Sequence, residues 1–324
     1  MNSPSTVHNI VLDCDPGHDD ALAILLAARR SNVVAITTVH GNAPLERTKE
    51  NARAVAELAG LQDIPIAAGA DRPLVREPRY APEVHGITGL DGPDMPAPTV
   101  PLVREHAVDV ILDRSRAVPN LHLVAVGPLT NVALALQRDP GLAGRIERIT
   151  IMGGSLLWGN VTAAAEFNIY CDPEAADLVF EAGVPITMVG LNVTEQVIAT
   201  KERREQVRSI DARVATAAAD MLDFYGGGED QYSGLGGGAM HDPLAVAALV
   251  EPSIVETVPM HVALVTQDGP ALGMTLCDGR HFDPVAMRPA RRRRDQAKAN
   301  ADVAVGVDAE RFWELFLEVL ATYR

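Results

Sequence analysis

The chain has 324 residues, 47% of them hydrophobic, and a formal net charge of −15 from 28 Lys and Arg against 43 Asp and Glu. This length and apolar content suffice for one large α/β domain or two smaller ones, and no segment has the length and polarity of an interdomain linker, so we expect a single domain over 1–324. The acidic charge argues against nucleic-acid partners, because no broad surface remains to neutralise phosphates.

The cysteines and the hydropathy of the chain exclude further classes of protein. Cys14, Cys171 and Cys277 are far apart and odd in number, and none forms a CxxC pair, so they predict neither a disulfide framework nor a zinc site. The first eight residues lack the apolar core of a secretion signal, and no run of about 18 apolar residues could span a bilayer. We therefore expect a soluble, cytoplasmic protein with no membrane partner.

Strand-like and helix-like runs alternate through the first two thirds of the chain. The predicted strands are 9–12, 33–39, 121–126, 148–152 and 185–189. The predicted helices are 21–28, 45–61, 104–117, 129–137 and 173–181. This alternation predicts an α/β fold with a mostly parallel, open, Rossmann-like sheet and helices on both faces. In such sheets the active site lies at the carboxyl ends of the strands.

The last third of the chain is less regular. Helices are predicted over 211–225, 244–250 and 310–320, and a strand over 301–307. Two glycine triplets, at 226–228 and 236–238, are expected to bracket a short polar segment outside the first of these helices. Residues 254–266 and 271–276 are expected to form a hairpin that turns at Gly269 and Pro270.

Four carboxylates lie within eight residues directly after the first predicted strand, where residues 13–20 read DCDPGHDD. At ~4 Å and an effective dielectric of about 20, each like-charged pair costs roughly 4 kcal/mol. Asp19 or Asp20 could cap the following helix, but capping does not explain Asp13 and Asp15, which alternate at the strand end. Because Ca²⁺ and Mg²⁺ prefer oxygen ligands, the segment predicts a divalent metal site.

Turn-forming or polar residues also follow the other predicted strands, in the segments 40–42, 127–131 and 153–154 and at Asn192. A further polar group, Asn160, Glu166 and Asn168 with Phe167 between them, offers hydroxyl partners and an apolar face. Alternatively, these side chains could simply form hydrogen bonds with the backbone of their own loop. His241 and Asp242 open a predicted helix, where Asp242 could be a cap, although the Gly-rich segment before them suggests a mobile lid.

These motifs together resemble the inosine–uridine-preferring nucleoside hydrolases, from residue 13 to residue 320. The resemblance is carried by DCDPGHDD at 13–20, TTVHGN at 37–42, VGPLTN at 126–131, AEFNIYCDPEAA at 165–176 and MHDPLAVAAL at 240–249. It implies hydrolysis of the N-glycosidic bond of ribonucleosides to free base and ribose. Relatives are commonly dimers or tetramers, so it also implies a homodimer or homotetramer.

The resemblance implies roles for individual residues. One Ca²⁺ would be held by Asp15, Asp20, the main-chain carbonyl of Val126 and Asp242, together with a water and two ribose hydroxyls. Asp15 would be the general base for that water, and His241 would protonate or hydrogen-bond the departing base. The implied substrate contacts are Asp19, Asn42, His85, Met152, Asn160, Glu166, Phe167, Asn168 and Tyr225. Of these, Asp19 would bond a ribose hydroxyl, His85 would lie near the base, and Tyr225, like Tyr232, is a lid candidate for stacking on it.

Two segments depart from the family pattern. Glu229 stands in the lid where many relatives have an aromatic or amide residue, which leaves purine or pyrimidine preference open. The region 280–298 is longer and more basic than expected, and its arginine run at 291–294 is interpreted as a solvated loop.

Two other functions remain open from the residues. Asp13 and Asp15 end a strand as the nucleophile of a Mg²⁺-dependent aspartate phosphatase does, although the Pro-Gly that follows and the downstream motifs disfavour this. A non-catalytic nucleoside- or sugar-binding protein could retain the Ca²⁺ site for stability.

Overall fold

The structure, a computed structural model, describes residues 7–280 and 297–323, and for 229–233 the backbone alone. The arginine run at 291–294 and the side chains of Glu229 and Tyr232 therefore lie outside the described residues. Within this range no helix combines the length and the apolar character needed to cross a bilayer.

The strands are β1 (Asn9–Cys14), β2 (Asn32–Thr38), β3 (Ile66–Ala68), β4 (Leu121–Ala125), β5 (Ile146–Met152), β6 (Ile186–Val189), β7 (Ile198–Ala199), β8 (Gly238–Ala239), β9 (Val255–Met260), β10 (Val262–Leu264), β11 (Thr275–Cys277) and β12 (Ala301–Val307). Eight of the described strands form the main sheet, in the order β3-β2-β1-β4-β5-β6-β12-β9. Its neighbouring strands are parallel except for the edge pair β12 and β9. The predicted α/β fold with a mostly parallel, open sheet is confirmed.

The helices are α1 (His18–Arg30), α2 (Leu45–Ala59), α3 (Pro82–His85), α4 (Ala107–Ala117), α5 (Thr130–Arg138), α6 (Phe167–Cys171), α7 (Pro173–Glu181), α8 (Leu191–Thr194), α9 (Lys201–Arg208), α10 (Arg213–Ser233), α11 (His241–Val250) and α12 (Ala309–Ala321). Alternate residues of β1 explain why helices cover both faces of the sheet. Ile10 and Leu12 belong to one buried cluster with α1, α11 and α12, whereas Val11 belongs to a second with α4, α5 and α7.

Several elements differ from the sequence-based expectation. Helix α1 begins at His18 rather than at residue 21, because the Asp20 carboxylate accepts a hydrogen bond from the Gly17 N–H (3.0 Å) and completes the first turn. Asp19 and Asp20 therefore sit inside the helix. Residues 254–266 divide into β9, which pairs with β12, and β10, which forms the expected antiparallel hairpin with β11.

Helix α10 continues to Ser233, so the prediction that it stops before the first glycine triplet was wrong. Each glycine costs a helix about 1 kcal/mol relative to alanine. The packing requires glycine at 228, where a Cβ would lie 2.9 Å from the Val84 carbonyl oxygen, and leaves little room at Gly226, where a Cβ would lie 3.3 Å from the Gly238 nitrogen. The missing side chains let α10 approach α3 and β8 closely.

Candidate active site

A cavity of about 920 Å³ opens at the carboxyl edge of the main sheet. Residues that follow four neighbouring strands line it: Asp19 after β1, Asn42 after β2, Val126 after β4, and Met152 at the end of β5. The other sequence-predicted residues that line it are His85, Asn160, Glu166, Phe167, Asn168, Tyr225, His241 and Asp242. The cavity thus brings together residues from all five motifs.

A group of buried carboxylates lies at this cavity: Asp19 and Asp242 line it, and the fully buried Asp15 and Asp20 lie next to them without lining it. Oxygen atoms of Asp19, Asp20 and Asp242 lie within 4.8 Å of one another. Asp15 adjoins this group, because its N–H donates to Asp20 Oδ1 at 3.0 Å, and it is fully buried. Burial, followed by repulsion from the neighbouring acids, raises the pKa of Asp15 and of Asp242 well above the usual range. It is therefore energetically unfavourable for these carboxylates to be ionised together unless a cation offsets their charge.

Asn42 fixes two of these carboxylates. Its main-chain N–H donates to Asp15 Oδ2 at 2.6 Å, and its Nδ2 donates to Asp20 Oδ2 at 2.9 Å. The other oxygen, Asp15 Oδ1, is buried and has no hydrogen-bond partner among the described residues. A buried oxygen in this state is costly unless a ligand reaches it.

The donor set fits a hard divalent cation. It consists of carboxylate oxygens and the carbonyl oxygen of Val126, and it contains neither the sulfur nor the imidazole ligands of a structural zinc site. The compact group includes Asp20 and Asp242, which the resemblance assigned to the metal, but also Asp19, which it assigned to a ribose hydroxyl. Asp15 reaches the group through Asp20.

The segment proposed to bind the sugar is held by its own hydrogen bonds. Glu166 caps α6, with Oε1 accepting from the Asn168 N–H (2.9 Å) and Oε2 from the Gly154 N–H (2.9 Å). Asn168 Nδ2 donates to the carbonyl of Val126 at 2.8 Å and to that of Met152 at 3.2 Å. Asn160 Oδ1 accepts from the Phe167 N–H. The bonds that satisfy this loop also hold its polar side chains at the cavity wall.

Two histidines, His241 and His85, also line the cavity. His241 is the first residue of α11, a helix that is apolar all round and therefore buried. Its Nδ1 lies 2.7 Å from the Thr194 hydroxyl. His85 Nδ1 lies 3.1 Å from Nδ1 of the fully buried His18, and burial lowers the pKa of His85 well below its usual range.

Tyr225, an expected lid residue, is only 2% exposed. Its ring stacks on His85, with ring centres 5.5 Å apart and planes 16° from parallel. His18 adjoins both rings, with ring centres 5.3 Å from His85 and 5.9 Å from Tyr225, and it also stacks on Phe224. In this structure Tyr225 therefore packs against His85, and both residues line the cavity.

Several lining residues were missed by the sequence reasoning: Arg79, Tyr80, Glu83, Trp158, Glu195 and Leu235. The most notable is Trp158, which is 41% exposed and whose indole N–H donates to Glu195 Oε2 at 2.7 Å. Trp158 follows the Gly153-Gly154 strand end by a few residues, and this position could have predicted from the sequence that it lines the cavity. No sequence pattern connects it with Glu195.

The carboxyl edge of a mostly parallel α/β sheet, where this acidic cavity opens, is the place where enzymes of this fold class bind their substrates. The model of the "inosine-uridine preferring nucleoside hydrolase" family matches residues 10–314. The chain is 42% identical over 318 residues to the pyrimidine-specific ribonucleoside hydrolase RihA of Shewanella sp. (strain ANA-3), covering 97% of this chain and 96% of the relative. It is also 42% identical to RihA of Photobacterium profundum, covering 97% and 99%.

Solved structures that resemble this chain also include nucleoside hydrolases. The purine-preferring ribonucleoside hydrolase from Gardnerella vaginalis superimposes with a TM-score of 0.87 at 34% identity, covering 97% of this chain and 98% of that one. The chain belongs to the nucleoside hydrolase family and is a ribonucleoside hydrolase, an enzyme that cleaves N-glycosidic bonds. The phosphatase alternative has no support, since the family match spans nearly the whole chain.

Proposed function

We propose that the chain hydrolyses pyrimidine ribonucleosides in preference to purine ribonucleosides, in a reaction that requires one Ca²⁺. The observation that carries the calcium requirement is the buried Asp15 Oδ1, which has no hydrogen-bond partner in the described part of the chain and lies beside the group of Asp19, Asp20 and Asp242. The pyrimidine preference is supported by the 42% identical relatives, which are named pyrimidine-specific. The structural neighbour named purine-preferring is less similar, at 34% identity.

Asp15, Asp20, Asp242 and the Val126 carbonyl would hold the ion, with Asp19 at its edge. When bound, Ca²⁺ supplies positive charge that offsets the carboxylates and orients the sugar hydroxyls and the attacking water. Ca²⁺ is favoured over Mg²⁺ because it binds a larger number of oxygen ligands and tolerates a less regular arrangement of them.

Asp15 is suited to be the general base. Asn42 holds its Oδ2, so Oδ1 is the oxygen that would accept a proton from the attacking water. Cleavage of a glycosidic bond develops positive charge on the sugar, and the surrounding carboxylates would stabilise that charge. Glu166, Asn168 and Asn160 would hold the sugar hydroxyls, and His241 would donate to the departing base.

The base would occupy the part of the cavity near His85, His241 and Trp158. These side chains offer ring nitrogens and an aromatic face, which suit a planar heterocycle. This assignment supports recognition of a nucleobase but does not by itself distinguish pyrimidines from purines.

A panel of ribonucleosides tests the proposal. Free ribose released from uridine, cytidine, inosine, adenosine and guanosine is measured with added Ca²⁺ and after treatment with a chelator. We expect kcat/KM to be highest for uridine or cytidine, and the chelated protein to be inactive until Ca²⁺ is restored. A higher kcat/KM for purines would contradict the pyrimidine preference, and binding of uridine without ribose release would favour the non-catalytic alternative.

Assembly and cellular location stay predictions. The resemblance favours a homodimer or homotetramer, which sedimentation of the purified protein would test. A cytoplasmic location is tested by fractionation of the source cells.

A further inference from the structure

Thr194 contacts His241 from behind the active-site cavity. Thr194 ends the short helix α8 and is fully buried. Its hydroxyl oxygen lies 2.7 Å from His241 Nδ1, across 47 residues of sequence. His241 itself lines the cavity, so this contact fixes the ring from the side away from the substrate.

The position of α8 makes the contact rigid. Leu191 N–H donates to the Gly154 carbonyl at 3.0 Å, and Gly190, just before the helix, is so close that a Cβ would lie 2.7 Å from the same carbonyl oxygen. Thr194 N–H donates in turn to the Gly190 carbonyl. Thr194 is thus held by main-chain bonds to the end of β5.

The direction of the hydrogen bond follows from burial. A hydroxyl carries one donor, and the described residues offer the Thr194 hydroxyl no acceptor other than His241 Nδ1. If the hydroxyl accepted a proton from Nδ1–H, its own O–H would be buried without a partner, which costs about 1–3 kcal/mol. The Thr194 O–H therefore donates to Nδ1.

We propose that Thr194 is a positioning residue that holds neutral His241 in the tautomer with its proton on Nε2. This inference rests on the proposed function of the site. With Nδ1 occupied as an acceptor, Nε2–H is the donor that the ring presents to an acceptor atom of the departing nucleobase. His241 then contributes a directed hydrogen bond without first gaining a positive charge.

The reaction consequence depends on the leaving group. A nucleobase leaves with negative charge building on its ring nitrogen and carbonyl oxygens, so a donor aimed at it lowers the barrier. A p-nitrophenolate leaves readily without such help. The hydroxyl of Thr194 should therefore matter for uridine and not for p-nitrophenyl riboside.

Replacement of the hydroxyl by a methyl group tests the inference. In Thr194→Val the ring loses its donor, and we expect kcat for uridine to fall about 10-fold with KM nearly unchanged, while kcat for p-nitrophenyl riboside stays within about twofold. Thr194→Ser keeps the hydroxyl and should restore uridine turnover. Thr216→Val, which alters an exposed threonine of α10, is the control for the substitution itself and should change neither substrate.

Nitrogen NMR of the calcium-loaded, ¹⁵N-histidine-labelled protein provides a readout that does not depend on turnover. The His241 signals are assigned by their loss in His241→Asn. We expect Nδ1 to be unprotonated and Nε2 protonated in the neutral ring, and this preference to weaken in Thr194→Val. A protonated Nδ1 in the unmodified protein, or equal losses on both substrates in Thr194→Val, would overturn the inference. Absence of any nucleoside hydrolysis would instead refute the proposed function, and the NMR result would still decide the tautomer.

Discussion

Gly127 lies so close to Asp15 that a Cβ at position 127 would stand 2.4 Å from Asp15 Oδ1. This is the carboxylate oxygen that has no partner among the described residues. The main chain after β4 therefore forms one wall of the space beside Oδ1, and glycine is the residue that keeps this space open. The preceding residue, Val126, lines the same cavity, and its carbonyl accepts a hydrogen bond from Asn168 Nδ2.

Gly127→Ala should consequently impair the site while the fold persists. Either the main chain or Asp15 must move, and a displacement of about 1 Å at a reacting group can cost 100-fold in rate. We expect kcat for uridine and the affinity for Ca²⁺ to fall together, measured by ribose release and by calorimetric titration. Gly144→Ala is the matched control, because a Cβ there meets nothing within 4 Å. Full activity in Gly127→Ala would show that the space is not used.

Asp15→Asn removes the proposed general base while keeping the shape of the side chain. Loss of general-base catalysis should lower kcat for uridine by roughly 10²–10⁴-fold. The melting temperature of the calcium-free protein should not fall, because the substitution also removes a repelling charge from a buried cluster. Near-normal turnover in this variant would exclude Asp15 as the base.

Asp13 makes the stability of the calcium-free protein depend on pH. Its Oδ1 accepts from Thr37 (2.6 Å) and Asn131 (2.8 Å), but burial dominates and raises the pKa to about 7 from the ordinary value of 3.8. Between these values the folded state binds a proton that the unfolded state has lost. The free energy of unfolding should therefore decrease as the pH rises from about 4 to about 7, by about 4 kcal/mol at most.

Chemical denaturation of the chelated protein across this pH range measures the effect. In Asp13→Asn the decrease should be smaller than in the unmodified protein, because one of the titrating groups is gone. An identical pH dependence in the two proteins would mean that Asp13 does not titrate in this range.

His241→Ala should separate substrates by leaving group. We expect kcat for uridine to fall by roughly 10²-fold, and kcat for p-nitrophenyl riboside to change little, because the phenolate leaves without a hydrogen-bond donor. The measurement is the ratio of the two kcat values in each protein. Equal losses would assign His241 to binding or folding and not to the departing base.

The sequence predicted the site better than it predicted the path of the chain. Asp15 and Asn42 were expected at one edge because parallel strands bring their carboxyl ends together, whereas Val126 and Met152 were named by the family resemblance. The short elements β3 and α3 were missed, since three or four residues carry no measurable periodicity. Helix α10 was predicted too short, because glycine propensity was overruled by close packing against α3 and β8.

Contacts between distant side chains could not be read from the sequence. Thr194 contacts His241 and Trp158 donates to Glu195, at separations of 47 and 37 residues. Only tertiary structure brings such residues together. The stack of His18 on His85 is a similar case: the histidine in DCDPGHDD was visible, but its partner 67 residues away was not.

The proposed requirement for one Ca²⁺, held by the buried carboxylates, is tested by titrating chelated protein with Ca²⁺. Heat release and uridine hydrolysis are followed on the same sample. We expect one ion per chain, recovery of activity in proportion to occupancy, and loss of both in Asp242→Asn. Full uridine hydrolysis by metal-free protein, or undiminished calcium binding in that variant, would rule this requirement out.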